Sequence, residues 1–307
     1  MNSNLQKICH LTFHKCGSQW VRDVLTAPEV AGVSGVRLDG RSPNMVVEAG
    51  WPSQEPGTFL GPIYSAGAQD WKQRPPDDAR AVVVVRDPRD RLISWVFSVA
   101  HSHVGQPLLR EPLLALSRRS KIIVGMFELV RVSGRMRSWF ETALQADVFL
   151  TSYERLIQDE RGEFRRIVQF LGWEIPETHL DSAIARLSFS QRSGRLPGQA
   201  NIHSHYRRGV SGDWRNYFDR SLGALFEERL PGLLTTMGYE ARPNWHESLP
   251  ERLADDEPAQ DEAGQRIRLQ ELESEVVLLR EERDELRRNC ALLQQMIAAA
   301  AAPPPSV

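Results

Sequence analysis

Two kinds of apolar block succeed one another along the first 245 residues. Short unbroken runs, Ile8 to Phe13 and Ala81 to Val85, are rich in β-branched residues and read as parallel strands buried on both faces. Apolar residues at helical spacing follow each run: Trp20, Val21, Val24 and Leu25 after the first, Leu92, Ile93, Val96, Phe97 and Ala100 after the second. The helical period returns in Lys121 to Leu144 and again in Phe164, Ile167, Val168, Phe170 and Leu171, which Gly172 ends. Strands alternating with helices predict an α/β fold of three layers around a central parallel sheet. Ser190 to Val210 has no period and reads as a long loop of the kind that closes over a ligand.

Past Trp245 the pattern changes. Pro250, Pro258 and the acidic run Asp255-Asp256-Glu257 predict a linker over 246–264. A heptad then runs over 265–297, with Leu272, Leu279, Leu286 and Leu293 at d and Leu269, Val276, Arg283, Cys290 and Ile297 at a. Glu275 faces Arg280 and Glu282 faces Arg287 across a parallel pair, so the heptad predicts a C-terminal coiled-coil helix and a homodimer. The alternative is one amphipathic helix folded back on the first 245 residues. The alanine- and proline-rich stretch 298–307 is expected to be a disordered tail.

Charge follows the same division. The net charge of −2 splits into about −7 after residue 245 and +5 before it. A mildly basic first part suits an anionic small ligand and falls short of the basic stripe expected for nucleic acid. No apolar run approaches the length of a membrane span and the N-terminus lacks a signal-peptide pattern, so a cytoplasmic protein is expected. Cys9, Cys16 and Cys290 are too few and too scattered for a disulfide framework or a zinc site, and no dense carboxylate cluster predicts another metal.

The chemistry concentrates where the two strands end. After Ile8 to Phe13 comes His14-Lys15-Cys16-Gly17-Ser18-Gln19-Trp20, in which Gly17 permits a sharp turn and Ser18 stands where an N-cap belongs. Free amides and the positive end of the helix dipole then face the loop, an arrangement that binds anions. Lys15 is one of only four lysines against 34 arginines, and a compact ammonium can follow charge developing on a bridging oxygen. After Ala81 to Val85, Arg86 closes the strand, Pro88 suits a first helical turn, and Ser94 shares the crevice side with Arg86. Taken alone, Arg86 could equally pair with Asp87 or Asp90.

Four segments together resemble the sulfotransferases that use 3'-phosphoadenosine 5'-phosphosulfate (PAPS). Lys15-Cys16-Gly17-Ser18-Gln19-Trp20 is similar to their 5'-phosphosulfate loop, and Arg86-Asp87-Pro88-Arg89-Asp90 with Ser94 to their 3'-phosphate motif. Phe149 to Leu156, containing Tyr153-Glu154, resembles the strand and turn beside the adenine, and Arg207-Arg208-Gly209-Val210-Ser211-Gly212-Asp213-Trp214 the late loop over the 3'-phosphate.

The resemblance implies a P-loop-like version of the three-layer fold and a sulfuryl transfer from PAPS to a hydroxyl or amine of a small molecule or glycan. Lys15 would stabilise the leaving phosphate, with Cys16, Gly17, Ser18 and Gln19 beside it in the loop. Trp20, Tyr153 and Phe189 would line the adenine pocket. Arg86 and Ser94 would hold the 3'-phosphate from one side and Arg207, Arg208 and Gly209 from the other. Sulfuryl transfer needs an in-line acceptor, donors around the equatorial oxygens and a cation on the leaving oxygen, and no metal is expected.

The pattern departs from the family at the base. Many soluble members carry a histidine where this chain reads Thr58 to Tyr64, which leaves Glu48, His101 and His103 as candidates. Tyr64, Trp51, Trp71 and Phe97 are candidates to line the acceptor pocket. Two rivals stand beside this reading. A P-loop kinase or NTPase is disfavoured because Lys15 precedes its glycine and no GxxxxGK[ST] occurs. A non-catalytic nucleotide-binding relative acting through its coiled coil would account for the absent histidine.

Overall fold

The strands predicted from the apolar runs form one parallel sheet. A computed structural model describes residues 6–40, 51, 54–64, 66–73, 78–102, 107–142, 146–253 and 274. The elements run β1 (Lys7–Thr12), α1 (Ser18–Leu25), α2 (Pro28–Ser34), β2 (Arg37–Leu38), β3 (Thr58–Tyr64), α3 (Ala68–Lys72), β4 (Ala79–Val85) and α4 (Pro88–Phe97). A π-helical turn, Ser98–Ser102, extends α4 and is followed by α5 (Pro107–Ala115), α6 (Arg118–Glu141), β5 (Val148–Ser152), α7 (Tyr153–Gln158) and α8 (Glu160–Phe170). Then come α9 (Glu177–Arg186), α10 (Phe189–Ser193), a 3-10 turn at Asp213–Asn216, α11 (Arg220–Arg229), α12 (Leu233–Thr236) and a 3-10 turn at Trp245–Ser248.

The sheet order is β2-β3-β1-β4-β5, and every neighbouring pair is parallel. The chain leaves β1 toward β2 and β3 on one side and resumes with β4 and β5 on the other. The order therefore reverses at β1 and β4, where α/β sheets bind ligands beyond their carboxyl ends. Thr12 pairs with Val84 in that register, so the loop after Phe13 and the loop at Arg86 emerge side by side.

Burial explains why these segments make these layers. Val21, Val24 and Leu25 of α1 and Phe164, Ile167 and Val168 of α8 join Ile8, Phe59, Val82 and Val84 in one apolar cluster on one face. On the opposite face α4 meets α6 closely: a Cβ at Gly125 would lie 2.6 Å from Leu92 and 2.7 Å from Val96. Two buried polar side chains also cross from β1 to β4. Thr12 Oγ1 donates to the Val84 carbonyl (2.8 Å) and His10 Nδ1 to the Val82 carbonyl (3.1 Å), which pins the register.

One compact unit spans Met1–Asp256, and a second spans Glu257–Val307. Residues just past Trp245 pack within the first, since the Arg220 amide donates to the Pro250 carbonyl (2.8 Å). The linker beyond residue 253, the heptad leucines Leu272, Leu279, Leu286 and Leu293, and the tail lie outside the described residues. Among the described residues no helix is long and apolar enough to cross a membrane.

Candidate functional site

Phe13 is fully buried and ends the strand path of β1 at the sheet's carboxyl edge. The chain then turns through two left-handed residues, Lys15 (φ 73) and Gly17 (φ 82). A lysine there costs about 1–2 kcal/mol of backbone strain, the kind of expense retained at sites of function. Gly17 is required twice over, because an added Cβ would sit 2.9 Å from the Tyr153 ring. The helix cap corrects the sequence expectation. Gly17 is the N-cap of α1 and Ser18 lies inside its first turn, where Ser18 Oγ shares a hydrogen bond with Tyr64 Oη at 3.0 Å. No side chain caps α1, so its first amides face the loop.

At the end of β4 every residue of Arg86-Asp87-Pro88-Arg89-Asp90 is buried and occupied. Asp87 caps α4 by accepting from the Arg89 amide (2.9 Å), and it also accepts from the Arg89 guanidinium (2.7 Å). The Arg89 guanidinium lies 3.7 Å from the Trp214 ring and 4.6 Å from Trp245, and it pairs with Glu240. Asp90 accepts from the amides of Gly212 (2.6 Å) and Trp214 (2.9 Å), so the second motif grips the late loop directly. Arg86 pairs with neither aspartate. It donates to the backbone carbonyls of Lys15 (3.1 Å) and Val210 (3.0 Å), and its guanidinium stacks 4.2 Å from the Tyr153 ring.

The third segment supports the second. Ser152 caps α7, Tyr153 begins it, and the Glu154 carboxylate accepts from the Asp87 amide (3.1 Å) and Tyr239 Oη (2.9 Å). In the late loop Asp213 binds both Arg207 and Arg208, while Arg207 stacks 4.7 Å from Phe97. Gly209 (φ 67) brings the backbone against Phe189, whose ring would be 2.5 Å from a Cβ.

These pieces enclose one cavity of 1090 Å³ at the sheet's carboxyl edge. Lys15, Gly17, Ser18, Gln19, Trp20, Arg86, Ser94, Tyr153, Phe189, Arg207, Arg208 and Gly209 all line it. Cys16 does not: its side chain is fully buried, its amide turns back to the Phe13 carbonyl, and burial pushes its thiol up to about 12. Lys15 Nζ donates to Ser98 Oγ at 3.2 Å. Burial, then the neighbouring Arg86 and Arg207, lowers the Lys15 ammonium to about 8. The Nε atoms of Arg86 and Arg207 and the Trp20 indole Nε1 are buried without a hydrogen-bond partner. Buried donors of this kind fit an anionic, aromatic ligand.

Sequence reasoning missed His14 and Ser98 as lining residues. His14 stacks on Tyr64, at the carboxyl end of β3, with ring centroids 4.0 Å apart, and Tyr64 Oη accepts from Gln19 Nε2 (3.1 Å). Ser98 follows Ser94 by one helical turn, a spacing that marks the same helix face. Of the expected base candidates, His101 packs on Phe97 and His203 away from the cavity lining, while Glu48 and His103 lie outside the described residues. Of the expected acceptor aromatics only Tyr64 lines the cavity. Trp51 and Trp71 pack edge to face at 5.4 Å, and Phe97 lies beneath Arg207. Among the described residues no group of three or more His, Cys, Asp or Glu side chains is arranged to hold a metal ion.

Comparison with known proteins follows the same lines. The sulfotransferase domain family matches residues 72–237, from α3 to the end of α12. Sulfotransferase 2A1 of Homo sapiens is 24% identical over 247 residues, covering 73% of this chain and 84% of that protein. The 3-alpha-hydroxysteroid sulfotransferase of Cavia porcellus is 23% identical over 247 residues, covering 72% and 83%. A mouse sulfotransferase crystallised with PAP shares the fold at a TM-score of 0.55 and 16% identity, over 76% of this chain and 85% of that one.

Proposed function

The chain belongs to the sulfotransferase domain family, and from that premise we propose that its cavity transfers a sulfuryl group from PAPS to a hydroxyl or amine of a small molecule or glycan. The observation that carries the reading is the convergence of Lys15, Arg86 and Arg207 on a cavity also walled by Trp20, Tyr153 and Phe189. Cations gathered beside aromatic faces match a nucleotide that carries charge at its 5' and 3' positions next to a purine.

Lys15 holds its ammonium on the 5'-phosphate oxygen that leaves, and the α1 amides of Ser18 and Gln19 face the equatorial oxygens. Arg86 and Ser94 hold the 3'-phosphate from the sheet side, with Arg207, Arg208 and Gly209 closing from the late loop. Trp20, Tyr153 and Phe189 hold the base. As the acceptor oxygen bonds to sulfur, the bond from sulfur to the bridging oxygen breaks and the acceptor proton passes to a base. We assign that base to His14, whose imidazole lines the cavity next to Lys15 and is oriented by stacking on Tyr64. A parallel homodimer through the heptad of 265–297 and a cytoplasmic location complete the proposal on sequence grounds.

Labelled PAPS incubated with the protein and a cell extract tests the activity. Labelled sulfate is expected on an acceptor and is lost with Lys15→Ala. Nucleotide binding without transfer would instead favour the non-catalytic reading.

A further inference from the structure

Building on the nucleotide reading above, we propose that Glu160 reads the exocyclic amino group of the purine and makes the cavity select adenine over 6-oxo purines. Glu160 is the first residue of α8 and its side chain lines the cavity. Among the described residues its carboxylate makes no hydrogen bond or ion pair; the adjacent Arg161, whose charge bears on it, pairs with Asp181 at 3.6 Å. One helical turn on, Phe164 meets the Trp20 ring edge to face at 5.5 Å. The Glu160 charge also bears on the buried Tyr153 phenol. Glu160 therefore lies on the side of the cavity that carries Trp20 and Tyr153.

That side offers a specific set of polar atoms. Trp20 Nε1 is a buried donor without a partner, and the Glu160 carboxylate is an acceptor without one. Adenine presents the complement: a 6-amino donor and ring nitrogens that accept. A carboxylate has only lone pairs to offer, so the 6-oxo group of hypoxanthine or guanine would face it acceptor to acceptor. Sites built around a hydrogen bond reject the analogue that cannot make it far more strongly than apolar pockets reject a missing methylene.

Isothermal titration of the full chain with adenosine 3',5'-bisphosphate and inosine 3',5'-bisphosphate tests this. Wild type is expected to bind the adenosine compound at least about tenfold more tightly. Glu160→Gln, whose amide supplies a donor as well as an acceptor, is expected to bring the two within about threefold, chiefly by gaining affinity for inosine. An unchanged preference in Glu160→Gln, or an equal loss of both ligands, would overturn the assignment while leaving the nucleotide site intact. Failure of wild type to bind either compound would overturn the nucleotide reading itself and this inference with it.

Discussion

The Arg86 guanidinium donates to the Lys15 carbonyl oxygen at 3.1 Å, so the loops after β4 and β1 are joined by a buried charged hydrogen bond. The same guanidinium reaches the Val210 carbonyl at 3.0 Å and thereby ties in the late loop. One side chain fixes the spacing of three loops, lines the cavity and still leaves its Nε buried and unpartnered. Replacing it strands two carbonyls and removes a cation. Arg86→Ala is expected to weaken adenosine 3',5'-bisphosphate binding by about 100-fold, and Arg86→Lys to restore only part of it. Thermal stabilisation by the nucleotide measures this, and an undiminished shift in Arg86→Ala would remove Arg86 from the anion site.

Lys15 gives the site a pH dependence of known sign. Burial with Arg86 and Arg207 lowers its ammonium to about 8 in the free protein, and an anionic ligand favours the protonated form. Nucleotide affinity should therefore fall as pH rises past 8, by up to about tenfold per unit, with uptake of about one proton per ligand near pH 9. Free-protein stability runs the opposite way, since the cost of burying the charged amine is full below 8 and relieved between 8 and the ordinary 10.5. Titration calorimetry in buffers of different ionisation enthalpy reads the proton directly. Lys15→Met should abolish the uptake; the same uptake in that variant would assign it elsewhere.

Much of this site was legible because its motifs stand at strand ends, where local sequence decides the turn and the helix start. Lys15, Gly17 and Arg86 needed only an apolar run before them and a helical period after, whereas Tyr153 was reached through the family resemblance of its segment. The long helix expected over Lys121 to Leu144 was found at Arg118–Glu141 for the same reason. What local sequence does not carry is reach. Asp90 looked like a partner for Arg86, yet it holds the amides of Gly212 and Trp214, more than 120 residues away. Trp51 and Trp71 looked like pocket aromatics, but they satisfy each other, and Trp51 Nε1 donates to the Asp70 carbonyl. The Gly17 cap was missed because Ser18 has the better capping chemistry; the left-handed backbone at 17 decides the matter instead. The loop expected over Ser190 to Val210 begins as the short helix α10 and is then organised by Arg195, which donates to the carbonyls of Gln199, Tyr206 and Arg207.

Gly209 is a point where the late loop tolerates no side chain. Its φ of 67 disfavours an L-residue, and a Cβ would meet the Phe189 ring at 2.5 Å. Gly209→Ala must push Phe189 out of the cavity wall or move the loop that carries Arg207 and Arg208. Its effect should be selective: a loss of nucleotide affinity of about tenfold or more with about 1–2 kcal/mol of global destabilisation. Adding Phe189→Ala relieves the clash but not the backbone strain, so it should restore the lost stability in part and leave nucleotide binding weak. Chemical denaturation and nucleotide titration on the two variants check both halves. Full wild-type affinity in Gly209→Ala would sink the claim of close contact.

His10 makes the sheet beneath the site sensitive to acid. The ring is fully buried in β1, Nδ1 donates to the Val82 carbonyl, and Nε2 makes no hydrogen bond. Burial lowers its pKa from 6.5 to about 4. The neutral ring is thus favoured in the fold, its contribution is complete above 6.5, and it is lost progressively as pH falls from 6.5 to 4. The full loss is about 3 kcal/mol, a substantial part of the stability of an ordinary domain. His10→Gln cannot take up a proton and can still donate to Val82. Urea unfolding at pH 7 and pH 4.5 should show wild type losing more stability across that interval than the variant, even if the variant starts lower. Parallel losses in the two proteins would mean that other groups govern acid unfolding and that His10 is merely packed.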